Sequence, residues 1–414
     1  MLIEGAKKLF GEVEIQGAKN SALPILAATI LCKGENVLHN CSNLSDVDAA
    51  GKILRFLGGK VTRHHKTMLV NTDDIHRFDI PHSLMREMRS SIVFLGAVLS
   101  RFKKARLSFP GGCELGPRPI DLHLKALRLM GANIKEHHGV LECSAPKGLT
   151  GTRISLSFPS VGATENIILA AVNAKGTTTI TNAAREPEIC DLAEFLNKCG
   201  ANIYGAGEGT IVIDGVKELK CTQHTIISDR IVASTLMSCA AITGSDITLK
   251  GIICEHLGAV ISIFEEAGCK INWVEGKMYF KSPQKLRSVN GIRTMPYPGF
   301  PTDAQAPVMS ALTVAEGTTY FVENIFESRY KHAGELLRLG ANIKIEGKVA
   351  VVEGVDALSG AFVEAQDLRG AASLITAGLA AEGVTEVSGM SFLERGYEDF
   401  EIVLSNLGAK VKMI

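Results

Sequence analysis

Apolar and polar positions follow one unit that recurs six times along this chain. Each copy opens on an Ala-rich segment that is apolar nearly all round, as in SALPILAATI from 21, TENIILAAV from 164, IVASTLMSCAAI from 231, VMSALTVA from 308 and ASLITAGLAA from 372. Such helices bury every face, so they belong inside a domain. A glycine and a short strand follow. Then comes a second helix with apolar positions three and four apart, seen in ILRFLGGKV from 53, LKALRLMGANI from 124, LAEFLNKCGANI from 192, ISIFEEAGCKI from 261, LLRLGANI from 336 and IVLSNLGAKV from 402. Glycines 58, 131, 200, 268, 340 and 408 close these helices at intervals of 68 to 73 residues. A glycine just past the last apolar helical position is the signature of a left-handed helix stop. The alternating strand after it, carrying Val61, Ile134, Ile203, Ile271, Ile343 or Val411, pairs back through a short turn.

The pattern predicts six helix–strand–helix–strand–strand units, three per domain, in an α/β chain whose Ala-rich helices are wrapped by sheets and amphipathic helices. The last unit needs a first strand, so residues 1–11 are expected to pair into the C-terminal domain. The domains are then 1–19 with 228–414, and 20–227, with the chain crossing twice. The irregular segment of each unit joins its first strand to its second helix. These segments are 109–122, with Cys113, then NAAREPEI (182–189), ENIFESRY (323–330) with Arg329, and MSFLERGYED (390–399) with Arg395. Two domains facing each other would gather such loops at one cleft, a usual place for ligands.

Composition narrows the function classes. The 414 residues are 46% hydrophobic, enough for two cores, and 44 basic residues balance 44 acidic ones. A neutral chain has no global field for nucleic acid or a membrane surface, so an anionic ligand must meet a local basic cluster. Ten cysteines without a CxxC pair indicate free thiols in a reducing cytoplasm. Apolar runs such as 92–99 stop far short of the roughly 20 residues that span a bilayer.

Local motifs supply candidate chemistry. Cys113 lies in FPGGCELGPRPIDL, where glycines and prolines allow few loop shapes, and Arg118 five residues on favours a reactive thiol. GAKNSALPIL puts Lys19 and Asn20 before a helix, with Ser21 as its N-cap, and a lysine beside helix amides suits an anion. SFPSVGATENI leads Ser160 and Gly162 into a helix in the same way. Arg86 and Arg89 in MREMRSS are expected on one helical face, either solvated or holding a carboxylate or phosphate. Asp303 in PGFPTDAQAP stands ahead of a buried helix, as a cap or as a base opposite a basic cluster. His64-His65 and His137-His138 occupy equivalent hairpin turns and read as turn residues rather than metal ligands. GAGEG at 205–209 does not lead from a strand into a helix, which excludes a nucleotide loop there.

In order, GAKNSALPIL, MRSS, FPGGCELGPRPIDLH, FPSVGAT, PGFPTDAQAP, ENIFESR, DLRGAASL and ERGYED resemble the motifs of the UDP-N-acetylglucosamine 1-carboxyvinyltransferases, relatives of EPSP synthase. The resemblance implies two inside-out α/β barrels of three repeats with the active site between them. It also implies transfer of the enolpyruvyl group of phosphoenolpyruvate to the sugar 3′-hydroxyl in cytoplasmic peptidoglycan synthesis, without a metal or organic cofactor. Its partners are the two small-molecule substrates, with no nucleic acid or membrane, and the chain is a monomer or weak homo-oligomer. By the same resemblance Cys113 is the general acid and the site of phosphoenolpyruvate or fosfomycin adducts. Lys19, Asn20, Arg118 and Arg395 bind phosphoenolpyruvate. Arg89, Arg118, Pro119, Ile120, Asp121, Leu122, Ser160, Val161, Gly162, Asp303 and Ile325 meet the nucleotide sugar, with Asp303 as base. Arg329 and Arg369 match structural or clamp arginines, and Arg230 a position near the domain junction. Phe158 departs from the lysine that many members have there. An EPSP synthase-like transferase and an inactive nucleotide-sugar-binding paralogue are the alternatives, the first disfavoured by the cysteine loop.

Overall fold

All six turn glycines adopt the left-handed conformation, with φ from 91° at Gly408 to 109° at Gly58. Any residue with a Cβ is strained there, which is why the repeat is legible as a glycine repeat. His65 and His138 also take positive φ, in exposed hairpin turns. The computed structural model describes residues 1–109 and 120–414.

The chain forms two compact units. One comprises Met1–Gln16 and Ser228–Ile414, and the other begins at Gly17 and ends at Ile227. Lys19, expected with the first, therefore belongs to the second.

In the first unit the Ala-rich segments become the helices Arg230–Ile242, Thr302–Leu312 and Leu368–Ala380, which pack against one another. Small side chains permit that approach. The hydroxyls of Ser310 and Ser373 stand 2.6 Å apart, and the Cys239 thiol lies 3.4 Å from the Thr376 hydroxyl. Several buried hydroxyls satisfy themselves on their own helix, as Thr235 does by donating to the Ile231 carbonyl. The second unit repeats the plan with Lys19–Ala28, Phe94–Phe102 and Val161–Ala171. Each unit surrounds its helix trio with three four-stranded sheets, so each is an α/β barrel turned inside out.

Among the described residues, each four-stranded sheet contains one strand more than the pattern predicts. A segment of two or three residues pairs parallel to the first strand of each unit: Gln223–Thr225 beside Glu35–His39, Asp79–Ile80 beside Lys104–Ser108, and Arg153–Ser155 beside Thr177–Thr181. Glu12–Glu14, Ile292–Arg293 and Phe362–Glu364 do the same in the other unit. So few residues carry no readable alternation.

The N-terminal strand Leu2–Glu4 pairs antiparallel with both Val384–Ser388 and Lys410–Lys412, with Ile3 opposite Thr385 and Val411. It fills the place of a returning hairpin strand, not of the first strand, because Val384–Ser388 already holds that position. Burial of Ile3 and donation by the terminal amine to the Val387 carbonyl at 2.7 Å hold it in register.

Candidate functional site

Three helix N-termini meet at one end of the first unit. Asp229 caps Arg230–Ile242, its carboxylate accepting from the amides of Ile231 at 2.9 Å and Val232 at 3.2 Å. Asp367 caps Leu368–Ala380, accepting from Arg369 and Gly370. Thr302–Leu312 begins after Pro301, with Asp303 as its second residue. Asp303 is therefore not a cap. Its carboxylate accepts from Arg329 Nη2 at 2.8 Å and from Arg369 Nη2 at 3.1 Å.

The guanidiniums of Arg329 and Arg369 are buried, whereas the Asp303 side chain keeps 29% of its surface exposed. Arg329 also donates to the Thr302 carbonyl at 3.1 Å. Arg369 Nη1 donates to the Tyr397 hydroxyl at 3.2 Å, and that hydroxyl lies 2.8 Å from Thr235 Oγ1. Burial works against a charged Arg369, but Asp303, Tyr397 and Asp229 outweigh it and hold its pKa above the ordinary value. Burial likewise raises the Tyr397 phenol. The His332 imidazole is driven down to about 4 by burial, aided by Arg329, and its Nδ1 lies 3.2 Å from the Arg329 carbonyl.

Ile325 is positioned by a residue that motif reading passes over. The buried carboxylate of Glu323 accepts from the amides of Ile325 at 2.8 Å and Phe326 at 3.1 Å. It also accepts from the hydroxyls of Thr294 at 2.9 Å and Thr302 at 3.0 Å. One anion thus ties the ENIFESR segment to the first residue of the Asp303 helix. Arg395 ends the 3-10 helix Met390–Arg395, and Arg230 opens its own helix with its guanidinium 5.5 Å from the Tyr297 ring.

The second unit holds the remaining described candidates. Lys19 is the first residue of Lys19–Ala28 and Asn20 the second; the residue in the cap position is Ala18. Ser21 is thus no cap. It lies buried inside the helix, its hydroxyl donating to Asp191, whose other oxygen is 2.8 Å from His224 Nε2. Lys19 Nζ donates to Asp46 at 3.2 Å, and both side chains are largely buried. Asp46 lies in the first turn of Ser45–Leu57. An ammonium held there by a carboxylate is a fixed cation at a helix N-terminus, where anions are favoured.

Ser160 does cap Val161–Ala171, its Oγ accepting from the Ala163 amide at 3.3 Å. Beneath the turn lies His123, from the helix Asp121–Leu129; a Cβ on Gly162 would meet its ring at 3.2 Å. Burial lowers the His123 imidazole to about 4, so it is neutral above mild acid, with Asn166 Nδ2 2.8 Å from its Nδ1. Asn166 also donates to the Ile92 carbonyl at 2.9 Å and accepts from the Gly96 amide at 2.7 Å. Asp121 is exposed, Leu122 half-buried and Ile120 buried. Phe158 is 43% exposed. On the same helix as Gly162, burial among Glu188 and Glu186 pushes the Glu165 carboxyl well above the usual range.

Arg86 and Arg89 do not share a helical face. Met88 is extended (φ −128°, ψ 123°) and separates His82–Glu87 from Arg89–Val93. Cys113, Arg118 and Pro119 lie outside the described residues. Among the described residues no group of three or more His, Cys, Asp or Glu is placed to hold a metal ion, and no helix is long and apolar enough to cross a membrane.

Comparison with known proteins adds relationships to this geometry. Residues 3–404 match the family model described as EPSP synthase (3-phosphoshikimate 1-carboxyvinyltransferase). The chain is 50% identical over 412 residues to UDP-N-acetylglucosamine 1-carboxyvinyltransferase 2 of Caldanaerobacter subterraneus subsp. tengcongensis, covering 100% of this chain and 99% of that relative. It is 46% identical over 414 residues to UDP-N-acetylglucosamine 1-carboxyvinyltransferase of Trichlorobacter lovleyi, covering 100% and 99%. Among solved structures it resembles the enolpyruvyl transferase NikO from Streptomyces tendae, with TM-score 0.90, 25% identity and coverage of 99% and 98% of the two chains. The fold is also that of EPSP synthase from Acinetobacter baumannii, with TM-score 0.75, 21% identity and coverage of 98% and 97%.

Proposed function

Because the chain belongs to the EPSP synthase family of carboxyvinyltransferases, we propose that it transfers the enolpyruvyl group of phosphoenolpyruvate to the 3′-hydroxyl of UDP-N-acetylglucosamine. Phosphate is released, and the product enters peptidoglycan synthesis. The observation that carries this reading is the 50% identity, across the full length of both chains, to a relative bearing that activity in its name.

The reaction needs an acid for the C-3 methylene of phosphoenolpyruvate, a base for the sugar hydroxyl and cations for a multiply charged substrate. Addition to C-2 gives a tetrahedral ketal with a C-3 methyl group, and elimination then removes a proton from C-3 and expels phosphate from C-2, restoring the double bond. In our reading Cys113 delivers the proton to carbon and Asp303 takes the hydroxyl proton. The carboxylate of Asp303 is suited to this because two guanidiniums fix its orientation while part of it stays open. Lys19, Asn20, Arg118 and Arg395 bind phosphoenolpyruvate. The lysine comes pre-aligned by Asp46, and charge-assisted contacts of this kind contribute about 1.5–3 kcal/mol each. Arg89, Pro119, Ile120, Asp121, Leu122, Ser160, Val161, Gly162 and Ile325 contact the nucleotide sugar. Arg329 and Arg369 act through Asp303.

The test is phosphate release from phosphoenolpyruvate in the presence of each acceptor. Release with UDP-N-acetylglucosamine and not with shikimate 3-phosphate supports the reading. Release with shikimate 3-phosphate alone replaces it with the EPSP synthase reaction, and no release with either leaves a nucleotide-sugar binder.

A further inference from the structure

Gln16 is buried, and both ends of its amide are engaged by one short turn. Its Nε2 donates to the Gly396 carbonyl at 3.1 Å, and its Oε1 accepts from the Glu398 amide at 2.9 Å. Its own carbonyl accepts at 2.8 Å from the amide of Asp229, the cap of Arg230–Ile242. Between the two clamped residues, Tyr397 turns inward to Thr235 and Arg369. Arg395 is the last residue of the 3-10 helix before this turn. Its backbone is therefore tied down immediately downstream, on one side by Gln16 and on the other by Tyr397.

We propose that Gln16 is a positioning residue for Arg395, setting the direction from which that guanidinium meets the phosphoenolpyruvate anion. The assignment rests on the reading that Arg395 binds phosphoenolpyruvate. A planar amide carries one donor end and one acceptor end, which is what a carbonyl and an N–H two residues apart require. Glutamate has nearly the same shape but no donor, so it sets an oxygen against the Gly396 carbonyl. Alanine leaves both backbone groups without their partner in a buried place, where an unmade hydrogen bond is costly. Packing alone does not account for Gln16, since an apolar side chain would fill the same space.

The test compares steady-state kinetics of the wild-type enzyme with Gln16→Ala and Gln16→Glu, varying each substrate in turn. Loss of the clamp should raise KM for phosphoenolpyruvate about tenfold, while KM for UDP-N-acetylglucosamine stays within about twofold. In an Arg395→Lys background, Gln16→Ala should add little, because the two changes damage one function. An unchanged KM for phosphoenolpyruvate, or independent multiplication of the two effects, overturns the inference. If Gln16→Ala does not fold, the near-isosteric Gln16→Glu decides by the same criterion. Failure of the wild type to release phosphate with UDP-N-acetylglucosamine would instead sink the functional reading, and the inference with it.

Discussion

Arg369 divides its guanidinium between Asp303, at 3.1 Å, and the Tyr397 hydroxyl, at 3.2 Å. Two residues far apart in sequence are thereby linked through a cation whose charge burial opposes and its neighbours sustain. The arrangement orients a partly exposed carboxylate without covering it, which suits the proposed role of Asp303 as a base.

Removing that carboxylate should separate chemistry from binding. Asp303→Ala is expected to lower phosphate release at least about 100-fold, the scale of a lost general base, while UDP-N-acetylglucosamine still binds. Calorimetric titration of the nucleotide sugar beside a phosphate-release assay measures both. Turnover near the wild-type rate would show that Asp303 is not the base. Two buried guanidiniums lose their counter-charge, so the melting temperature should fall as well.

Glu323 should matter for both stability and nucleotide-sugar affinity. Glu323→Gln replaces an acceptor of four hydrogen bonds with a group that turns one NH2 toward donors. The expected cost is about 3 kcal/mol, read from urea unfolding, together with a raised KM for UDP-N-acetylglucosamine through the displaced Ile325 segment. A variant as stable as wild type would mean that the four contacts are not made in solution.

Acid should unfold the protein partly through two buried imidazoles. His123 and His332 are each lowered from 6.5 to about 4, chiefly by burial. Between those values the unfolded chain binds more protons than the folded one. The contribution is therefore complete above pH 6.5 and is lost as pH falls toward 4, at about 3 kcal/mol per site over the whole window. Unfolding midpoints measured from pH 7 to pH 4 should fall, and His332→Asn should flatten the profile. A profile with the same slope in the variant would rule out the His332 contribution.

Cys113 is best tested by its proton. Cys113→Ser should lose most phosphate release, since a hydroxyl is a far weaker acid than a thiol. Cys113→Asp should keep activity, because a carboxyl can still donate a proton, and should resist alkylation by fosfomycin. Mass spectrometry of the treated variants reads the adduct directly, and an adduct on the aspartate variant would contradict this account.

By itself, the sequence determined whatever depends on neighbours a few residues apart. The six left-handed glycines, the Ala-rich interior helices and the amphipathic outer ones were all legible, because periodicity and the Cβ penalty at positive φ act locally. The helix start at Ser160 and Gly162 was readable for the same reason. Tertiary structure alone decided what depends on partners distant in sequence. The two- and three-residue parallel strands exist only because a sheet edge waits for them. Leu2–Glu4 takes a returning strand's place because Val384–Ser388 and Lys410–Lys412 leave a gap of that shape. Ser21 and Asp303 look like caps in the linear chain, yet one is drawn to Asp191 and the other to Arg329 and Arg369. The roles of Glu323, His123 and Gln16 were invisible for the same physical reason. A buried polar group takes its meaning from the donors and acceptors that folding brings to it, and no local pattern records where those will come from.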